Sequence, residues 1–348
     1  MIRLLIVDDS ALMRRKLASL FTEAGEFEVR LARNGAEAVS ENRAFQPDVV
    51  TLDINMPEMD GLESLACLMH ERPVPVIMFS SLTVKSALAT FEALALGAVD
   101  CVAKPGGTIS RDIESVEQEL LEKVRIAARA RPRVRTAAVS AREPRPPRAT
   151  PVAAPRHQAP GLVLVGVSTG GPSTLEDILP KLPAEFPWPI LIAQHMPASF
   201  TAPFAQRLNG VCRLPVQEVR QATALEPGNI YIARGDADVK VSRRGARLVA
   251  VPCPAQAQFL WHPSVELLGR SALEHCPAES LIGVMLTGMG HDGSQAFSDI
   301  HRRGGRTIAE AEETAVIFGM PAKLIEQDGA STVLPAGAIA RQLVDWTR

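Results

Sequence analysis

The chain is poor in the residues that staple small secreted proteins. Its five cysteines, Cys67, Cys101, Cys212, Cys253 and Cys276, are odd in number and widely spaced. None forms a CxxC pair, so the common zinc and thiol-redox signatures are missing. Such cysteines are expected to be reduced, mostly buried small residues, a usage that fits a reducing compartment. Long apolar runs are missing as well. No stretch approaches the ~20 apolar residues needed to span a bilayer. The opening Met-Ile-Arg-Leu-Leu-Ile-Val is too short for a signal peptide and stops at two acids, Asp8 and Asp9. A cytoplasmic protein with no membrane insertion is expected. Nor is there an excess of charge of one sign. The 37 Lys+Arg stand against 39 Asp+Glu, and a net charge of −2 recruits neither nucleic acid nor an anionic membrane.

What is present is ample core material. Hydrophobic residues make up 46% of 348 positions, enough for two domains on the usual relation between length and domain number. One segment differs from everything around it. Between Arg129 and Pro160 stand eight arginines and seven prolines against a single acid, Glu143. Such a stretch cannot bury enough surface to offset its ordering entropy, so a flexible linker is expected over 129–160. A solvated tether is favoured there over a binding site for nucleic acid or an acidic partner.

Over 1–128, apolar runs at Leu4–Val7, Val29–Ala32, Val49–Asp53, Val76–Ser80 and Val99–Val102 alternate with helical spacings. Five βα units of this length predict a doubly wound α/β domain with five parallel strands. Over 161–348 the pattern resumes. Leu162–Gly166, Ile190–Gln194 and Leu281–Thr287 read as buried strands, and helices are expected near 173–182, 200–208, 265–273, 294–303 and 321–327. The middle, with Tyr231-Ile-Ala, Val239-Lys-Val-Ser and Leu248-Val-Ala-Val, reads as a small antiparallel excursion from a mostly parallel sheet.

Ligands of doubly wound sheets bind beyond the carboxyl ends of the strands. In the first domain that edge collects Asp8 and Asp9, Asp53, Ser80 and Lys104. Converging carboxylates repel, and a hard divalent ion such as Mg2+, with Lys104, is the expected counter-charge. The set suits phosphoryl transfer to a carboxylate, with the Ser80 hydroxyl available to the product. Taken singly, Asp9 could instead cap the following helix.

These stretches, Val7-Asp-Asp-Ser-Ala-Leu-Met-Arg-Arg, Leu52-Asp-Ile-Asn-Met-Pro-Glu-Met-Asp-Gly-Leu, Ser80-Ser-Leu-Thr and Val102-Ala-Lys-Pro, resemble the receiver domain of bacterial response regulators. The resemblance implies Asp53 as phospho-acceptor, a histidine kinase as phosphodonor, and Mg2+ held by Asp8, Asp9, Asp53 and the Asn55 carbonyl. One departure is Cys101, where many receivers carry an aromatic that swings inward on phosphorylation.

In the second domain, Gly166-Val-Ser168-Thr-Gly170-Gly171-Pro172 lies between a strand and a helix. It can be read as a phosphate cradle of backbone N–H groups, or as a GxSxG turn exposing a nucleophilic serine. The P-loop lysine is missing. His195, just past the next strand, is a candidate base, with His291 as rival. Asp292 is a candidate orienter, or alternatively a helix cap. The order Ser, His, Asp departs from α/β-hydrolases, but such a triad is defined by geometry.

The turn, Gln194-His-Met-Pro, Tyr231-Ile-Ala, His262-Pro-Ser-Val, Leu286-Thr-Gly-Met-Gly-His-Asp-Gly and Phe318-Gly-Met-Pro together resemble the catalytic domain of the chemotaxis receptor protein-glutamate methylesterase, over about 160–346. A receiver fused ahead of that domain is the family's architecture. The resemblance implies that Ser168 attacks a receptor glutamate methyl ester, His195 takes its proton and Asp292 holds His195. Glutamine deamidation is implied as a second activity. The backbone N–H groups of Thr169 and Met289 are the oxyanion candidates. No cofactor is expected for the esterase step, and a monomer is expected. The competing reading is a receiver-coupled protein whose second domain only binds.

Overall fold

The computed structural model describes residues 1–80, 84–104, 113–130 and 161–348. The linker expectation falls almost wholly on 131–160, outside the described residues, as do Ser81–Thr83 and Pro105.

The N-terminal half runs β1 (Ile2–Val7), α1 (Ala11–Glu23), β2 (Phe27–Ala32), α2 (Gly35–Ala44), β3 (Val49–Leu52), α3 (Gly61–Glu71), β4 (Val76–Ser80), α4 (Val84–Leu96), β5 (Asp100–Ala103) and α5 (Ile113–Ala127). All five strands are parallel, in the order β2-β1-β3-β4-β5. β3 and β4 are buried along their whole length, as continuous apolar runs require when helices cover both faces. Local chemistry sets the boundaries. Ser10 and Asn34 cap α1 and α2, and Asp60 with Glu63 closes a capping box on α3. Asp9 is therefore not the cap of α1; Ser10 accepts from the Met13 N–H instead.

The second half continues with β6 (Leu162–Val167), α6 (Gly171–Ile178), β7 (Ile190–Gln194), α7 (Ala198–Val211), β8 (Val216–Val219), β9 (Thr223–Ala224), β10 (Ile230–Ala233), β11 (Ala237–Arg244), β12 (Arg247–Pro254), α8 (Val265–His275), β13 (Leu281–Met285), α9 (Ser294–Arg302), β14 (Arg306–Glu310), α10 (Met320–Glu326), β15 (Thr332–Leu334) and α11 (Ala336–Trp346). A seven-stranded parallel sheet has the order β15-β14-β13-β6-β7-β10-β8, and β11, β12 and β9 form a separate antiparallel sheet. This corrects one expectation. Tyr231-Ile-Ala belongs to the main sheet, where Ile230–Ala233 pairs in parallel with β7 and β8. The antiparallel excursion is the β11–β12 hairpin with β9.

The two halves touch. Phe91 of α4 stacks on Phe204 of α7 with centroids 5.2 Å apart and meets Phe200 edge-on at 6.2 Å. Val316 and Ile317 pack against the N-terminal core.

Candidate active site

Strand order explains where the candidates meet. In the second half the chain leaves β6 toward β7 on one side and later returns to β13 on the other. The carboxyl end of β6 is thus the topological switch point, where a crevice opens between neighbours. Ser168 follows β6, His195 follows β7 and Asp292 follows β13.

The serine turn is tightly sewn. The Ser168 N–H donates to the Thr287 carbonyl at 3.0 Å, and its own carbonyl accepts from Gln194 Nε2 at 2.9 Å and Gly171 N at 2.8 Å. Gly170 opens α6 at φ +79°, and a Cβ there would come 2.5 Å from Val316. Only glycine fits both demands. A Cβ on Gly288 would lie 2.7 Å from that of Ser168. Met289 sits next in that turn and Thr169 directly after the serine, so both oxyanion candidates flank Ser168 in space.

His195 Nε2 and Asp292 Oδ2 are 2.9 Å apart. His195 Nδ1 is buried and has no hydrogen-bond partner among the described residues. The imidazole is thus tethered through Nε2 with Nδ1 left for a proton, and the serine–imidazole bond is not made in this arrangement. Asp292 is not the cap of α9, whose N-cap is Gly293. It sits at the N-terminus of α8 instead, accepting from Val265 N at 2.6 Å, Glu266 N at 3.0 Å and Ser264 Oγ at 3.1 Å. Burial alone would raise its carboxyl, but the His195 hydrogen bond and charge and the two helix N–H groups outweigh it and hold it below its ordinary range. The rival His291 is exposed and packs edge-on against Trp261.

The acid pocket lies at the other switch point, between β1 and β3. Asp8, Asp9 and Asp53 place ligand oxygens within 4.8 Å of one another, a hard-oxygen set that fits a divalent cation. Lys104 Nζ reaches Asp8 at 2.7 Å and Asp53 at 2.8 Å. Burial pushes the Asp53 carboxyl up, Lys104 opposes it and Asp8 adds to it, leaving the group above its ordinary range. Burial likewise would lower the Lys104 ammonium, but both carboxylates overcome it. Ser80 is buried at the end of β4, its carbonyl accepting from Lys104 N at 2.7 Å. Asn55 follows in the exposed turn, with its N–H on Asp53. Cys101 is buried, which pushes its thiol up to about 12.

Three contributors escaped the sequence reading. Trp261 lies parallel to the His195 ring, Ser264 braces Asp292, and Asp100 of β5 contacts Thr169. Ser264 ahead of Val265-Glu-Leu-Leu carried a helix N-cap signal. The other two had none.

Fold and site define a receiver joined to an α/β domain with serine, histidine and aspartate gathered at its switch point. The sequence matches the CheB methylesterase family over residues 163–343 and the response regulator receiver domain over residues 4–111. It is 53% identical, across 99% of this chain and 96% of the other, to a protein-glutamate methylesterase/protein-glutamine glutaminase of Rhodospirillum rubrum. One from Archaeoglobus fulgidus is 42% identical across 98% and 97%. The crystal structure of the Thermotoga maritima CheB methylesterase catalytic domain covers 54% of this chain and 99% of its own, at 37% identity and a TM-score of 0.52. The chain belongs to the CheB methylesterase family, in its receiver-bearing form. No helix among the described residues is long and apolar enough to cross a membrane.

Proposed function

We propose that this chain is a protein-glutamate methylesterase and protein-glutamine glutaminase that acts in the cytoplasm, as a monomer, on methyl-accepting chemotaxis receptors. Residues 1–128 serve as receiver, 129–160 as linker and 161–348 as catalytic domain. The observation that carries the reading is the 2.9 Å His195–Asp292 pair beside Ser168, with Nδ1 left unengaged.

In this reading Ser168 Oγ attacks the carbonyl carbon of a glutamate γ-methyl ester while Nδ1 of His195 takes its proton. Asp292 on Nε2 fixes the ring and balances the imidazolium. The backbone N–H groups of Thr169 and Met289 receive the developing oxyanion. Collapse breaks the C–OCH3 bond, and the His195 proton leaves with methanol. Water, deprotonated by His195, then splits the acyl-enzyme into glutamate and free Ser168. With a glutamine the leaving group is ammonia.

The receiver supplies the control. Asp53 accepts a phosphoryl group from a histidine kinase, and Asp8, Asp9, Asp53 and the Asn55 carbonyl would hold Mg2+. That ion supplies charge neutralisation for the transfer. Lys104 and Ser80 bind the phosphorylated product. The unphosphorylated receiver, packed on the Ser168 turn, obstructs a bulky helical substrate, and phosphorylation biases it away.

Methanol release from methylated receptor membranes, with and without a small phosphodonor, tests this. Ser168→Ala is expected to be inert and Asp53→Ala indifferent to the phosphodonor. Activity in Ser168→Ala would overturn the mechanism.

A further inference from the structure

The segment Gln256-Ala-Gln-Phe-Leu-Trp-His-Pro-Ser264 joins β12 to α8. One carboxylate closes this loop at both ends. Asp238 of β11, 1% exposed, accepts from Gln256 N at 2.9 Å and Ser264 N at 2.8 Å, and pairs with His262 Nδ1 at 2.9 Å. A loop fastened in this way holds its middle in a fixed place, and its middle carries Trp261.

Three neighbours seat the indole. Its ring lies 6.0 Å from that of His195, centroid to centroid, at an interplanar angle of 10°. His291 meets it edge-on at 5.5 Å. A Cβ on Gly290 would come 2.6 Å from the indole, so the Asp292 turn leaves an open notch that Trp261 occupies.

We infer that Trp261, clasped through its loop by Asp238, is a positioning residue for His195, an inference that rests on the esterase reading above. Among the described residues, the only side-chain hydrogen bond on the imidazole is the one to Asp292 at Nε2. A ring held at one corner can swivel about that bond and swing Nδ1 away from Ser168. A flat aromatic surface parallel to it removes that freedom at little entropic cost, since Trp has two rotatable side-chain bonds. When His195 takes the serine proton, the imidazolium faces the electron-rich indole. Both effects act on the chemical step.

The test uses the full chain with Mg2+ and a small phosphodonor, on methylated receptor membranes. Trp261→Leu should lower kcat about tenfold to a hundredfold, the scale of a base displaced by about 1 Å, with KM within about twofold. Trp261→Phe should restore most of the loss. Leu260→Ser, a change at the exposed neighbour on the same loop, should keep the native kcat and so report on loop perturbation alone. Independently of turnover, the His195 ring-proton resonances should move downfield in Trp261→Leu as the indole ring current is lost. A native kcat in Trp261→Leu, a loss confined to KM, a Phe variant no better than Leu, or unmoved His195 resonances would each overturn the inference. A native chain that releases no methanol would instead overturn the esterase reading, while the resonances would still judge the stack.

Discussion

Thr169 Oγ1 donates a 2.8 Å hydrogen bond to Asp100 Oδ2, tying the residue after Ser168 to the first residue of β5. Asp100 is itself held, with Lys123 Nζ at 3.1 Å and the Cys101 N–H at 2.7 Å. Burial alone would lower the Lys123 ammonium, but Asp100 and Glu119 hold it above its ordinary value, so the latch carries a permanent cation. Cys101, at the position where receivers often carry a switching aromatic, is therefore next to a charged contact with the catalytic domain. In this chain a carboxylate on β5 offers a route by which a shift of that strand reaches the serine turn.

Removing the latch should weaken the closed arrangement. A hydrogen bond to a charged group is worth about 1.5–3 kcal/mol, and about 1.4 kcal/mol is a tenfold change in an equilibrium. Asp100→Ala is thus expected to raise methanol release about tenfold to a hundredfold without phosphodonor and to blunt the further rise on phosphorylation. An unphosphorylated rate equal to the native one would show that the contact does no regulatory work.

The acid pocket predicts a pH- and cation-dependent stability. The Asp53 carboxyl is held above its ordinary 3.8, by burial first and by Asp8 in addition. An acid with a raised folded value costs stability when it ionises, so the penalty is absent below the ordinary 3.8, grows as pH rises from there to the folded value and is complete above it. Without divalent ions, Asp53→Asn should melt higher than the native chain at neutral pH, and the gap should close on acidification. Mg2+ at about a hundred times its dissociation constant should stabilise the native receiver by about 2.7 kcal/mol and leave Asp53→Asn unmoved. Calorimetry over a pH series with and without Mg2+ reads both.

Much of this was legible in sequence because it is local. Strand-end residues such as Asp8, Asp53, Ser168 and His195 are announced by an apolar run followed by polar or Gly-rich punctuation. What failed depends on partners far along the chain. Ile230–Ala233 looks like the hairpin strands that follow it, and only its pairing with β7 and β8 makes it parallel. β14, β15 and α11 were not foreseen. The Thr169–Asp100 bond spans 69 positions of sequence, the Arg- and Pro-rich stretch 129–160 among them. Trp261 shares its loop with Phe259 and Leu260, and no spacing relates it to His195.

Asp292 gives the opposite pH sign to Asp53. Its carboxyl is depressed below 3.8, so its stabilising contribution is complete above that value and is lost as pH falls through the folded one. The melting difference between the native chain and Asp292→Asn should stay level between about pH 5 and pH 8 and shrink below about pH 4. The same variant should lose about 10³–10⁴-fold in kcat, the scale for an orienting aspartate. A melting gap that widened on acidification would contradict the assignment of Asp292 as an ionised partner of His195 and the α8 N-terminus.

Glycines in the second half separate steric need from mere flexibility. A Cβ on Gly171 would run into Gln194 Oε1 and approach Val167 Cγ2 at 2.5 Å. Gln194 Nε2 meanwhile holds the Ser168 carbonyl at 2.9 Å and the His195 carbonyl at 3.1 Å. Gly171→Ala must therefore displace the side chain that joins the two strand ends. The expected cost is about 1–3 kcal/mol, as for overpacking elsewhere, with a matching fall in kcat and normal phosphorylation of Asp53. Gly210, in α7, has nothing within 4 Å of its Cβ position and an ordinary backbone. Gly210→Ala should raise stability by about 0.5–1 kcal/mol and leave kcat alone. Thermal melts of the two variants, run beside methanol release, check the pair. Equal effects at both sites would mean that the Gln194 bridge does not support the serine turn.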